Sequence, residues 1–196
     1  EDGATHQILE DIGMMKILPN MTVICPADYE QTRQATLAIA DYEGPVYLRF
    51  GRPKLPVFYK TDAPFEIGKA QKLMSGDDVT IIATGYMVWE AIKAAQILKE
   101  KGIHADVLNI HTIKPLDTDA ILESAARTGK VVTAEEHQRL GGLGGSVSQV
   151  LAENNPTPMR MVAVDDSFGE SGTPTQLMDK YGLNADAIVT KTLEIL

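Results

Sequence analysis

Cysteine is nearly absent from this chain: Cys25 is the single one in 196 residues. That excludes an internal disulfide and a cysteine-based metal site, and it fits a reducing cytoplasm. Positive charge is also scarce, with 18 Lys and Arg against 27 Asp and Glu, giving a formal net charge of −9. Nucleic acid and anionic membrane would both be repelled by such a surface, so neither is expected as a main partner; a small phosphate-bearing ligand in a local basic pocket stays compatible with it. No apolar run approaches the roughly 18 residues of a membrane span, and no secretory pattern opens the chain. The four His, at 6, 104, 111 and 137, lack the i,i+3 or i,i+4 pairing of a helical metal site. There is no GxxxxGK followed by Ser or Thr, and no GxSxG elbow.

What is present is ordinary globular composition, 44% hydrophobic and 23% charged, at a length that suits one domain or two small ones. MTVICP (21–26) is a short apolar run stopped by Pro, the mark of a buried strand. Asp28, with Gln31 three residues on, predicts a capped helix whose apolar stripe is Ala35, Ala38, Ile39 and Tyr42. Gly44-Pro45 ends that helix and VYLRF (46–50) is the next strand, so this segment is a parallel βαβ unit. Residues 51–64 carry repeated Pro and no amphipathic period, and read as a linker. A second series then alternates: strands at 79–84, 105–110, 130–135 and 159–164, with a helix striped by Val88, Ile92, Ala95 and Leu98, a helix opened by Asp117, and one through Val147, Val150 and Leu151. A short helix behind Thr173-Pro174 and a last one capped by Asn184 complete a three-layer α/β/α domain.

GGLGG (141–145) lies between a strand and a helix, where backbone N–H groups can cradle a phosphate. It departs from the dinucleotide fingerprint because Val147 stands where the third Gly belongs, and a tight turn with close helix–sheet packing is the plainer reading. His104 suits a surface loop, whereas His111 and His137 fall past strand ends, where a side chain can face a cleft. Arg49 and Arg52 bracket the end of the 46–50 strand. Ligands of open parallel sheets bind beyond such carboxyl ends, so Arg52 suits a phosphate or carboxylate, or else a surface ion pair. The opening EDGATHQ supplies an acceptor in Asp2, a switchable donor in His6 and a flexible Gly3 between them. A polar run of this kind at the first residue, with no Met before it, is expected to be a pocket wall whose preceding part is missing.

Taken together, EDGATHQ, LPNMTVICPAD, GPVYLRFGRPKLP, IKPLD, EEH-x4-GLGG and FGESGTP-x6-YGL resemble the C-terminal section of a transketolase, in particular the small subunit of the form split into two chains. The resemblance spans nearly the whole sequence. It implies that residues 1–62 are the back part of a pyrimidine-binding domain with a linker, and that residues 63–196 are the family's C-terminal domain. It further implies an enzyme of the pentose phosphate pathway that moves a two-carbon ketol unit between sugar phosphates, using thiamine diphosphate and Mg2+. In that family the Asp and His of the opening segment contact the donor sugar and the Arg after the strand binds its phosphate, which carries over to Asp2, His6 and Arg52.

The same resemblance shows what these 196 residues do not contain. The cofactor-activating Glu lies upstream of the opening segment in the family, and Glu1 is not its counterpart. The GDG motif with its distant Asn, which holds metal and diphosphate, belongs to the other half of the enzyme. No catalytic residue is therefore assigned, no cofactor is expected on this chain alone, and an N-terminal transketolase subunit and a homodimeric assembly are the expected partners. Two other readings stand beside it: a fragment of 1-deoxyxylulose-5-phosphate synthase or of a 2-oxoacid dehydrogenase β subunit, and a binding or regulatory module without catalysis.

Overall fold

The computed structural model describes residues 3–196. In chain order its elements are α1 (Asp11–Lys16), β1 (Thr22–Ile24), α2 (Tyr29–Ala40), β2 (Val46–Leu48), β3 (Gln71–Met74), β4 (Val79–Ala83), α3 (Met87–Glu100), β5 (Ala105–Asn109), β6 (Thr112–Lys114), α4 (Thr118–Thr128), β7 (Val131–Gln138), α5 (Leu143–Asn154), β8 (Met159–Val164), α6 (Pro174–Lys180) and α7 (Ala185–Leu193). They form an α/β fold: an N-terminal region built on a three-stranded sheet, β2-β1-β6, and a C-terminal domain built on a mixed five-stranded sheet, β3-β5-β4-β7-β8.

β1 and β2 pair in parallel around α2, as the βαβ reading requires. Asp28 caps α2 by accepting the Gln31 backbone N–H at 2.8 Å, while the Gln31 side chain turns back to accept from the N–H of Ala27. The helix buries less than its sequence stripe suggests. Ala35 is buried, but Ala38 and Ile39 are half-buried and Tyr42, beyond the last turn, is exposed; its hydroxyl bonds that of Thr22 at 2.9 Å.

In the larger sheet β5, β4, β7 and β8 run parallel, and β3 is an antiparallel edge. Parallel strands must be covered on both faces, which is why β4 reads VTIIA with every residue buried. One face carries Val88, Ala91, Ala95 and Leu98 of α3 together with Ile188 of α7. The other carries Ile121 and Ala125 of α4 with Val147 and Leu151 of α5. α4 stops at Gly129, whose φ of +68° closes the last turn without strain. Among the described residues no helix is long and apolar enough to cross a membrane.

The two sheets are not joined by a loose tether. β6, from the far side of the chain's expected division, leaves the larger sheet and pairs antiparallel with β1, completing the smaller one. Residues 51–64 contain no helix or strand, yet they are packed. Phe58 stacks on Trp89, and the backbone N–H groups of Phe58 and Tyr59 each donate to Asp28 Oδ2 at 2.8 Å. One buried carboxylate thus caps a helix and pins the connection between the two regions. Asp28→Ala should cost about 3 kcal/mol in urea denaturation, because three N–H groups lose a charged acceptor at a buried site. A cost within 0.5 kcal/mol, of the order of an ordinary surface substitution, would show that this carboxylate does not pin the connection.

Candidate functional site

The opening segment is a turn presented outward and braced from behind. Gly3 is buried with φ +81°, where only glycine is unstrained, and a Cβ there would stand 2.9 Å from Ser171 Oγ. The His6 N–H closes the turn onto the Gly3 carbonyl at 3.0 Å, and the Thr5 hydroxyl engages His6 Nδ1 at 3.0 Å. Thr5 and His6 are exposed. Behind them Gln7 Nε2 donates to the Glu170 carbonyl at 3.1 Å, and the Leu9 carbonyl accepts from the backbone N–H of Gln138 at 2.8 Å.

Arg52 is exposed on the bend that follows β2. Arg49, three residues earlier, donates through Nη2 to the carbonyl of Ile8 at 3.3 Å, so the segment carrying Arg52 and the segment carrying His6 meet. Asp2, the third sugar-binding candidate, lies outside the described residues. The segments that gather here come from beyond the carboxyl ends of β2, β7 and β8, the side of an open sheet where ligands bind.

The Gly-rich start of α5 is already occupied by an internal carboxyl group. Glu135, fully buried on β7, accepts the N–H of Leu143 at 2.6 Å and of Gly144 at 2.8 Å. The glycines make room for that contact: a Cβ on Gly142 would overlap the Glu135 carboxylate, and one on Gly144 would stand 2.9 Å from both Thr133 Oγ1 and Met161 Sδ. Close helix–sheet packing is therefore what 141–145 achieves. Burial lifts the Glu135 carboxyl to about 7, against the two N–H bonds and Lys16, which favour its charged form.

His137 and His111 are both interior. His137 Nδ1 bonds the Gln138 carbonyl at 2.8 Å and Nε2 accepts the Gly13 N–H at 3.2 Å, an arrangement that needs the neutral ring; burial lowers its pKa. It fastens α1 to β7 and does not face a cleft. His111 stacks on Phe65 at 4.3 Å, and burial pushes its pKa down to about 4. His104 is exposed beside Asp78, as its position after α3 suggests.

Arg49, which the sequence paired with Arg52, is consumed by the structure. Nε approaches Asp11 Oδ2 at 3.3 Å, and Nη2 donates to the Glu136 carbonyl at 2.9 Å. Tyr47 donates to the same Asp11 oxygen at 2.8 Å, and burial followed by Asp11 raises its pKa to about 12. The Cys25 thiol faces this guanidinium, but burial outweighs it and holds the thiol neutral.

Thiamine diphosphate with a divalent cation needs a diphosphate cradle and oxygen ligands. Among the described residues no group of three or more His, Cys, Asp or Glu could hold a metal ion, and the α5 N-terminus is filled by Glu135. By themselves the described residues do not fit that pair.

Glu135 and His111 impose opposite pH slopes on stability. The folded chain holds the Glu135 proton more tightly than the unfolded one, so this group's contribution falls as pH rises from 4.5 to about 7. His111 is held neutral, so its contribution is lost as pH falls from 6.5 to about 4. Each is worth about 3 kcal/mol across its window. Relative to the parent, Glu135→Gln should make stability rise more steeply (or fall less) with pH over this range, and His111→Phe should make it fall more steeply (or rise less), by urea denaturation at stepped pH. Unchanged slopes in both variants would contradict these assignments.

The profile of the transketolase pyrimidine-binding domain family matches residues 1–57, and that of the transketolase C-terminal domain family matches residues 68–188. A putative transketolase C-terminal section of Methanocaldococcus jannaschii is 45% identical over 99% of this chain and 61% of its own length. A 6-deoxy-6-sulfo-D-fructose transketolase subunit of Clostridium sp. (strain MSTE9) is 47% identical, over 99% and 60% respectively. A solved structure described as a split gene transketolase, inactive beta4 tetramer, superposes with a TM-score of 0.95 at 47% identity, covering 99% of this chain and 64% of that one. The chain spans about three fifths of the length of these relatives. With both domain profiles matched in order, the chain belongs to the transketolase family, as the C-terminal section of its split form.

Proposed function

We propose that this chain forms the sugar-facing wall of a ketol-transferring transketolase whose thiamine diphosphate and Mg2+ are held with the help of an N-terminal partner subunit. The supporting observation is the opening turn: Thr5 and His6 stay exposed while Gln7 and Leu9 behind them are held by Glu170 and Gln138 of the C-terminal domain. A solvated loop needs no such bracing. His6, its Nδ1 held by Thr5, meets a donor-sugar oxygen through Nε2, and Asp2 takes a neighbouring hydroxyl. Arg52 pairs with the sugar's terminal anion, for which its fork of donors is suited. The Asp-Gly-x-Thr-His-Gln run favours transketolase over 1-deoxyxylulose-5-phosphate synthase or a 2-oxoacid dehydrogenase β subunit. The 196 residues alone do not turn over, because they carry no counterpart of the cofactor-activating Glu. The assembly is a homodimer of such pairs, and a reducing cytoplasm suits the free, buried Cys25.

In the complete enzyme, Arg52→Ala should lower kcat/KM for phosphorylated ketoses about ten- to a hundredfold, the loss of one charged hydrogen bond of roughly 1.5–3 kcal/mol. Unphosphorylated ketoses should be much less affected; equal losses on both would contradict the anion assignment. His6→Ala should lower turnover while leaving the melting temperature nearly unchanged, since the exposed ring packs against no core. A fall of several degrees would instead make His6 a structural residue.

A further inference from the structure

We propose that Gln7 is the positioning residue of the sugar-binding turn, and that the loop after β8, residues 167–172, is the seat that holds it. The inference rests on the proposed role of His6. Gln7 neighbours His6 in sequence, but its side chain points away from the exposed face to the Glu170 carbonyl, 3.1 Å from Nε2. A Cβ on Gly169 would stand 2.4 Å from its Oε1, closer than contact allows, so the glycine leaves space for this amide. Gly3, at the other end of the turn, seats against Ser171. Both ends of the His6 turn therefore rest on one short stretch of the C-terminal domain.

The seat is itself fixed from three sides. Gln138 Nε2 donates to the Ser167 carbonyl at 2.6 Å while its backbone N–H holds Leu9, so one residue of β7 secures both segments. The Tyr181 hydroxyl lies 3.1 Å from the Phe168 carbonyl and 2.8 Å from Glu170 Oε1. Lys180 pairs with the same Glu170 carboxylate at 2.5 Å. The start of the short α6, with the reciprocal Thr173–Gln176 cap, closes the loop. None of these groups needs to touch sugar. Their effect is to keep the His6 ring in one place, and a displacement of about 1 Å in a reacting site can cost on the order of a hundredfold.

Two substitutions isolate this role in the complete enzyme. Gln7→Met keeps the volume against Gly169 and removes the donor. Gly169→Ala leaves every polar group intact but drives a methyl into the Gln7 amide; the backbone there is not in the left-handed region, so alanine itself is unstrained. Each should raise the ketose KM and lower kcat/KM roughly tenfold, equally for phosphorylated and unphosphorylated ketoses, with an unchanged melting temperature. Because both act through one amide, Gly169→Ala should add little in the Gln7→Met background. Amide exchange at the His6 N–H, which closes the turn, should quicken in both variants. An unchanged ketose KM, a loss confined to phosphorylated sugars, or additive losses would overturn the inference. If His6→Ala proves silent, the proposed function fails, and the exchange rate at His6 still decides the seat: a rate equal to that of the parent overturns it.

Discussion

The structure depends on one buried cation. Arg49 leaves the end of β2 and reaches into the gap between the two sheets, where it meets Asp11 of α1, the carbonyl and carboxylate of Glu136 on β7, and the carbonyl of Ile8. Its side chain is only 13% exposed, so the charge must be answered by protein groups rather than by water. Removing one partner from such a cluster leaves another charge buried and unanswered, a loss of about 3–5 kcal/mol. The geometry also has a directional consequence. The small sheet, α1 and the carboxyl end of β7 are held in one arrangement, and the segments carrying the exposed His6 and Arg52 adjoin those elements.

Around that cation the molecule repeats one device: a polar side chain from one region answering the backbone of another. Asp28 holds the 58–59 backbone, Gln138 holds residue 167, Gln7 holds residue 170, and Lys114 donates to the carbonyls of Lys16 and Leu18. His137 accepts from Gly13. Backbone groups that irregular segments would otherwise bury unpaired are satisfied this way, which lets non-repetitive chain lie close to the core. Glu135 is the same device turned on a helix: it fills the α5 N-terminus from within, leaving that dipole no free anion site for a ligand.

Much of this was legible in the sequence. The parallel strands were plain because a strand buried on both faces is a mostly apolar run, as at 79–83, and the helix starts read at Asp28, Asp117, Pro174 and Asn184 all form. What stayed hidden was short or polar. α1 has six residues, too few to show a period. β3 (QKLM) and β6 (TIK) are edge segments whose strand character comes from the neighbour they pair with rather than from their own residues. α2 looked more amphipathic than it is, because Ile39 and Tyr42 fall where its packing has ended. At the site, His6 and Arg52 are both exposed, but Arg49 and Arg52 are three residues apart and only tertiary structure separates a buried junction cation from an exposed one. Gln7 carried no signal of its own; its role appears only when residue 170 arrives beside it.

The central claim is that this chain binds and positions sugar while the thiamine chemistry requires residues beyond these 196. Isothermal titration calorimetry of the chain alone with thiamine diphosphate and Mg2+, followed by a ketol-transfer assay on the same sample, tests it most directly. The account predicts no stoichiometric cofactor binding and no turnover. One equivalent of cofactor bound per chain, or ketol transfer without a partner subunit, would contradict it.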